Sequence, residues 1–427
     1  METSLVPFAE LLSAVVDNRG RTCPTSESGI PLIATNCIRN DSLYPGYEKV
    51  RYVSRDTYET WFRGHPQPGD LIFVLKGTPG RVCFAPDPID FCIAQDMVAL
   101  RADESKVDPK YLFALLRSPQ IQSKIEQMHV GTLIPHFKKG DFDRLLLPIP
   151  NRSAQRFIGD LYFTLSSKID LNTRINEILE GMAGVLFKSW LVNFDPVRAK
   201  AEDRAFALPP ALAELFPATF QDSDVGEIPS GWTTRGLDEV ALFLNGLALQ
   251  KFPPKNGRSL PVIKIAQLRT EDVTGADSAS ADLSPEYIVE DGDVLFSWSG
   301  SLECVLWAGG RGALNQHLFK VTSAAYPKWF YFQWIRQHLA DFRGIAAGKA
   351  TTMGHIQRHH LSAAKAIVPS GSLLKEMDRY FSPLIDQIVQ NKVASRSIAA
   401  IRDALLPRLV SGEIRVPDAE RISGRSV

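Results

Sequence analysis

Residues 153–192 read SAQRFIGDLYFTLSSKIDLNTRINEILEGMAGVLFKSWLV, and residues 372–410 read SLLKEMDRYFSPLIDQIVQNKVASRSIAAIRDALLPRLV. In the first, Phe157, Ile158, Leu161, Leu165, Ile169, Leu171, Ile175, Ile178, Leu179, Met182, Leu186 and Phe187 recur mostly at steps of three and four. In the second, Leu373, Leu374, Met377, Phe381, Leu384, Ile385, Ile388, Val389, Ile398, Ile401, Leu405 and Leu406 do the same. That period predicts one apolar stripe along each of two helices. About 40 residues rising ~1.5 Å each make a rod on the order of 60 Å, several times the ordinary helix. Ser153 and Ser372 are the expected N-caps. Gly181, Gly184, Pro383 and Pro407 weaken the pattern, and Pro383 predicts a kink or a restart. A single stripe needs a partner, so the two rods are expected to pack as an antiparallel pair with a globular block at each end. The alternative is that each helix folds onto its own block.

The rods belong to an internal repeat. At a constant shift of 219, Leu165 meets Leu384, Ile169 meets Ile388, Asn172 meets Asn391, Leu179 meets Ile398, Met182 meets Ile401 and Leu186 meets Leu405. Upstream, His136-Phe-Lys-Lys before Pro150 echoes His355-Ile-Gln-Arg before Pro369, Gly69-Asp-Leu-Ile-Phe echoes Gly292-Asp-Val-Leu-Phe, and Gln95 echoes Gln316. Echoes in fixed order indicate a duplication. The blocks contain short apolar runs bounded by Gly, Pro, Asn and Asp: LIFVL (71–75), PVIKIAQL (261–268) and VLFSWS (294–299), all expected as strands. PKYLFALLRS (109–118) and KWFYFQWIRQHL (328–339) are expected as helices. The fold class expected is α+β (mixed α/β): two globular domains with small β-sheets and two long antiparallel helices, related by a pseudo-twofold internal repeat. Its parts are a first domain (1–150), a first helix (151–194), a Pro- and acid-rich linker (195–225), a second domain (226–370), a second helix (371–412) and a tail (413–427).

Composition bounds the function. A chain of 427 residues exceeds one ordinary core, and 22% charged with 9% aromatic residues excludes wholesale disorder. No stretch reaches the ~20 apolar residues of a membrane span, and METSLVPFAE has no basic segment of the kind that starts a signal peptide. Five cysteines without a CxxC pair point to a reduced cytoplasmic protein. Catalytic signatures are missing. GIAAGKAT (344–351) is one residue short of a phosphate loop and has Ala350 where the metal-binding hydroxyl belongs. The set His355, His359 and His360 lacks the acid or thiolate that would complete a metal site, and a basic surface patch is the better reading. No Asn/Asp-Pro-Pro-Tyr methyltransferase signature occurs.

The balance of 48 basic against 48 acidic residues conceals a pattern. Residues 270–303 hold nine acids and no Lys or Arg; residues 304–375 hold nine Lys/Arg and one acid, Asp341. Interleaved with Trp329, Phe330, Tyr331 and Trp334, the second stretch has the composition of a polyanion-binding surface. The first block has 17 basic and 18 acidic residues, and its candidate patch is local: Lys76, Arg81, His136, Lys138 and Lys139.

Three phrases then carry a resemblance: KSWLVNFDPVRAK (188–200), FQDSDVGEIPSGW (220–232) and LLPRLVSGEIRV (405–416). With the duplicated block-and-rod plan, they make the chain resemble the specificity subunit of type I restriction–modification systems over nearly its whole length. One departure is that the first block lacks a Gly-Glu-Ile-Pro-Ser-Gly-Trp opening, so its edge is either shortened or supplied from elsewhere in the fold. The resemblance implies a non-catalytic DNA-recognition subunit for phage defence. Each block reads one half of a bipartite double-stranded DNA site, and the helices set the spacing. Two methyltransferase subunits dock on the chain and two motor-nuclease subunits join for cleavage. S-adenosylmethionine, ATP and magnesium serve those partners, and this chain itself takes no cofactor or metal.

Loops at matching places are the expected DNA contacts, because Gly admits close approach and hydroxyl, amide and basic groups supply donors. In the first block they are Lys76, Thr78, Arg81, Gln95, Thr132, His136, Lys138 and Lys139. In the second they are Ser297, Ser299, Ser301, Asn315, Gln316, His317, Lys349, Thr351, Thr352, His355 and Arg358. Two other classes remain open: a stand-alone restriction–methylation enzyme, which would methylate DNA as a purified chain, and a non-DNA scaffold of two binding modules on a stalk, which would retain no DNA.

Overall fold

The computed structural model describes residues 3–18, 22–128, 131, 134–255, 257–348 and 354–414. The chain divides into two compact units, Met1–Leu171 with Ser397–Val427, and Asn172–Arg396.

The first unit is built on strands β1 (Thr3–Pro7), β2 (Leu12–Asp17), β3 (Ile30–Ile33), β4 (Arg51–Val53), β5 (Leu71–Val74), β6 (Val82–Phe84), β7 (Cys92–Ile93), β8 (Met97–Ala102) and β9 (Leu146–Pro150). They form sheets β2-β8-β5-β6, β4-β3-β7 and β1-β9. β5 is buried on both faces, which is why LIFV is uninterruptedly apolar. Helix Pro109–Arg117 covers the larger sheet, capped by Asp108, whose carboxylate accepts from the backbone of Lys110 at 3.0 Å.

The second unit repeats this plan with β10 (Phe220–Gln221), β11 (Ile228–Pro229), β12 (Thr233–Gly236), β13 (Leu242–Asn245), β14 (Ser259–Ile263), β15 (Ser278–Ser280), β16 (Ile288–Val289), β17 (Val294–Ser297), β18 (Cys304–Leu306), β19 (Gly312–Leu314), β20 (Leu318–Thr322) and β21 (Lys365–Val368). The sheets are β13-β20-β17-β18, β15-β14-β19-β16, β12-β21 and the β10-β11 hairpin. The correspondence extends to register. Leu71 lies opposite Leu100 and Phe84, as Val294 lies opposite Val321 and Leu306. β3 and β7 pair in parallel, and so do β14 and β19.

The long helices run Arg152–Phe187 and Gly371–Val410. Each gives one stretch to each unit. In the first unit Ile158, Leu161, Tyr162 and Leu165 face Arg402, Leu405, Leu406 and Leu409 in antiparallel order. In the second, Ala183 and Phe187 join the core that holds Met377, Phe381, Ile385 and Ile388. The caps are Asn151, whose Oδ1 accepts from Ala154 N at 2.9 Å, and Ser370, whose Oγ accepts from Leu373 N at 3.4 Å. They stand two residues before the expected Ser153 and Ser372. Pro383 does not restart its helix, which is continuous through it.

Three further expectations change. PVIKIAQL is a strand only to Ile263; Ile265–Thr270 is helical. Residues 195–225 are no free linker. Asp195–Ala201 and Pro210–Leu215 are helices, and Val197, Leu212 and Phe216 are buried in the second unit's core. Proline misled there because Pro196 and Pro210 occupy first helical turns, where the missing N–H costs nothing. Two of the resemblance phrases, 188–200 and 220–232, meet at this place. Trp190 packs edge-on to Phe381 with centroids 5.6 Å apart, and Phe194 edge-on to Trp232 at 5.9 Å. Finally, the opening that the first block lacks has its counterpart far along the chain. Gly412 (φ 76°) precedes Ile414, which is buried with Leu147 and Ile149 in the first unit. Gly226 (φ 101°) likewise precedes the buried Ile228 in the second. Both glycines adopt the left-handed backbone that a side chain resists.

Candidate nucleic-acid interface

Each unit ends in a tip where the strand after Gly-Asp turns back beneath the segment that leads to the last strand. In the first, Gly77 N donates to Pro135 O and Phe137 N to Leu75 O, both at 2.9 Å, so that Lys76 and His136 form a one-residue antiparallel bridge. In the second, Gly300 N donates to Gly354 O and Ile356 N to Trp298 O, again both at 2.9 Å, bridging Ser299 and His355. Gly77 (φ 88°) and Gly300 (φ 65°) turn the chain through the left-handed region at equivalent points. The third component is the turn before β8 or β20. Leu75 N bonds Asp96 O at 2.9 Å, and Trp298 N bonds His317 O at 3.3 Å.

On the first tip, Lys76, Lys138 and Lys139 are exposed, while Thr78, Arg81, Gln95 and His136 are half-buried. Thr78 Oγ1 is enclosed and has no hydrogen-bond partner among the described residues. Lys139 is engaged by the carboxylate of Asp17, at the end of β2, and Arg63 stands 3.9 Å from the same carboxylate. On the second tip, Ser301 and Arg358 are exposed, and Gln316, His317 and His355 are half-buried. The Arg358 guanidinium lies 5.9 Å from the centre of the Phe319 ring. Ser299 is 3% exposed, its hydroxyl 3.0 Å from His317 Nδ1. Asn315 is 7% exposed and uses Oδ1 to accept from His317 N at 3.2 Å. Ser297 is wholly buried: its hydroxyl donates to Ser301 O at 2.7 Å and accepts from Glu303 N at 2.8 Å, closing its own turn. It faces no ligand. Thr132, Lys349, Thr351 and Thr352 lie outside the described residues.

Two residues of the second tip were not singled out from the sequence. Trp298, half-exposed, is held by donation from Nε1 to Asn245 Oδ1 at 2.9 Å and to Gln316 O at 3.1 Å. Its ring is tilted over His317 at 5.8 Å and edge-on to His355 at 6.3 Å. A Trp between the serines and glycine of a loop was the available signal, and Asn245 gave none.

The charge run reads differently in space. Of the acids in 270–303, Glu271 pairs with Lys392, Asp277 with Lys264, Glu290 with Arg311, Asp291 with Arg396, Asp293 with Lys320 and Glu303 with Arg343. Arg311, Lys320 and Arg343 belong to the basic stretch itself, and Arg336 pairs with Glu180. Much of that stretch is therefore neutralised within the unit. Trp329, Phe330, Tyr331 and Trp334 are core residues, 6% exposed or less.

GIAA of the phosphate-loop imitation ends helix Lys328–Ala347; a phosphate is held by a helix start, where N–H groups are open. Among the described residues no group of three or more His, Cys, Asp or Glu is gathered for a metal ion, and no helix is long and apolar enough to cross a membrane. Burial pushes the thiols of Cys83, Cys92 and Cys304 up to about 12, which leaves them inert as nucleophiles at neutral pH.

A family model described as the type I restriction modification DNA specificity domain matches twice, over residues 23–181 and 229–394. The chain belongs to this family. Both matches contain a tip and run into a long helix, so the duplicated plan is a duplicated specificity domain. The type I restriction enzyme HindI specificity subunit of Haemophilus influenzae is 24% identical over 403 residues, covering 81% of this chain and 86% of that protein. The MjaIX specificity subunit of Methanocaldococcus jannaschii is 23% identical over 402 residues, covering 91% and 88%. Among solved structures, the S subunit of a type I system from M. genitalium superposes with a TM-score of 0.56 at 14% identity, covering 96% of each chain.

Proposed function

We propose that this chain is the sequence-specific DNA-recognition subunit of a type I restriction–modification complex, with each unit reading one half of a bipartite site. The observation that carries the proposal is the repeated tip. One hydrogen-bonded frame is built twice, and it presents different side chains each time. Sequence readers need that arrangement, because backbone contacts set register while base edges are read by variable donors and acceptors. On the first tip the readers are Lys76, Thr78, Arg81, Gln95, His136, Lys138 and Lys139, and Thr132 is proposed with them from its place in the sequence. On the second they are Ser299, Ser301, Asn315, Gln316, His317, His355 and Arg358; Trp298 joins them, and Lys349, Thr351 and Thr352 are proposed with them from their place in the sequence. Ser297 serves the frame.

The chain would be non-catalytic and cytoplasmic. Two methyltransferase subunits bring S-adenosylmethionine, and two motor-nuclease subunits bring ATP and magnesium. The long helices set the spacing between half-sites. They also offer a docking face, since Ile178, Met182 and Val185 stand 63%, 49% and 70% exposed on one stripe of the first helix. Such spacing suits a partner helix. Co-expression with a cognate methyltransferase, followed by base-resolution mapping of modified adenines, tests the reading. A split motif with two fixed ends is expected, and unmodified DNA would defeat it. Inserting four residues after Asn172 or Asn391 should change the tolerated gap.

A further inference from the structure

Within the second unit, the seam between the two long helices is apolar except for one polar level. Asn172, Asn176 and Asn391 are 2%, 7% and 9% exposed. Asn172 Nδ2 donates to Ser395 Oγ at 3.0 Å and to the Asn391 carbonyl at 3.4 Å. Asn391 Nδ2 donates to Asn176 Oδ1 at 2.9 Å, and Asn176 Nδ2 to the Ile388 carbonyl at 3.2 Å. Gln387 Nε2 completes the set by donating to Asn391 Oδ1 at 2.8 Å. The repeat equates Asn172 with Asn391 and Asn176 with Ser395. Each helix therefore sends the amide from its first position to the second position of the other.

The apolar neighbours, Leu179 and Ala183 on one helix and Phe381, Ile385 and Ile388 on the other, impose a weak preference for alignment. Carbon contacts have no direction, and such surfaces repack with modest loss. The amides behave differently. A slide of one turn breaks both pairs. One way it sets Asn172 opposite Ala399 and Asn391 opposite Glu180, leaving the Asn172 amide against carbon; the other way it sets Asn172 opposite Asn391 and Asn176 opposite Gln387. The layer therefore opposes slippage chiefly in the first direction, where a buried donor without a partner is disfavoured. A polar residue in an apolar seam selects register in this way, at some expense of stability.

We propose that the layer Asn172, Asn176, Asn391 and Ser395 is the register lock of the helix pair, and so a determinant of the half-site spacing that the subunit accepts. This rests on reading the helices as the spacer. The test uses the full chain in complex with its methyltransferase and maps the spacing of modified sites for three proteins. One carries Asn172→Leu, Asn176→Leu and Asn391→Leu with Ser395→Ala. A second carries Asn391→Ala, which takes the donor from Asn176 Oδ1 without adding volume and serves if the first does not fold. The third is the four-residue insertion after Asn172. Wild type should modify sites of one spacing. In the layer variants, discrimination against the neighbouring spacing that would set Asn172 opposite Ala399 should fall by roughly tenfold for each amide hydrogen bond lost. If the insertion shifts the spacing while the layer variants keep the original one, the lock is overturned and the spacer stands. An insertion without effect overturns the spacer and the lock together. A lowered thermal midpoint with unchanged spacing would make the layer a stabilising element only, and would equally overturn the lock.

Discussion

The two tips share their backbone and differ in how they treat charge. Asp17 and Asn245 end equivalent strands, and Lys139 and Arg358 occupy equivalent places on the approach to β9 and β21. In the first unit Asp17 engages Lys139. In the second, the matching Asn245 cannot pair with a cation and instead holds Trp298, which stands where the first unit has Leu75. One tip is thus a set of partly neutralised cations, and the other an aromatic platform with two histidines and an exposed arginine. Frame atoms are conserved between the copies and side-chain chemistry is not. Under the proposed function, that division would let a duplicated domain read two different half-sites.

Four measurements would break or sharpen the comparison. The first unit is sealed by Ile414, whereas the second has both the matching Ile228 and Trp232 in its core. Trp232→Ala should destabilise the second unit by about 3–5 kcal/mol and Ile414→Ala the first by about 2 kcal/mol. Each loss should be confined to its own unit in hydrogen-exchange protection, and protection lost in both would show that they are not separate. Next, Trp298→Ala should remove about 1–3 kcal/mol of base discrimination at one half-site and leave the other unchanged, as read by the mapped motif. Third, exchanging the end-of-strand residues should exchange the electrostatics. Asn245→Asp should lower the salt dependence of DNA binding by about one unit of slope, and Asp17→Asn should raise it comparably. Unchanged slopes would remove Lys139 and Arg358 from the interface.

The smallest effect is acid sensitivity. The hydrogen bonds from Arg396 hold the Asp291 carboxyl below its ordinary value of 3.8. Its contribution is therefore complete above that value and is lost as pH falls through the depressed one. At this half-exposed pair it amounts to about 0.2–1 kcal/mol. Asp291→Asn should remove that part of the acid-induced fall in the second unit's melting temperature.

The sequence disclosed most of the architecture because the relevant signals are periodic or duplicated. Gly-Asp before LIF and VLF located β5 and β17, and steps of three and four located both helices. It was less informative wherever the outcome depends on what lies nearby in space. Ser297 and Ser301 stand in one loop, yet one hydroxyl turns inward to close it. Lys138 and Lys139 are adjacent, but the carboxylate that engages Lys139 sits at the end of β2. The basic run looked like a surface because its acidic complement is distant in sequence and near in space. Proline at 196 and 210 suggested a linker, while Val197, Leu212 and Phe216, which decide the matter, follow no short period.

The seal of the first unit by Gly412 and Ile414 also imposes an order on biosynthesis. Asn172–Arg396 is contiguous and can fold as it emerges from the ribosome. The first unit, though its strands are translated earlier, lacks Leu405, Leu406, Leu409 and Ile414 until the whole second unit has been made. During that interval Ile158, Leu161 and Tyr162 have no helix to pack against, a state open to misassociation. The half that is translated first is the last to be completed.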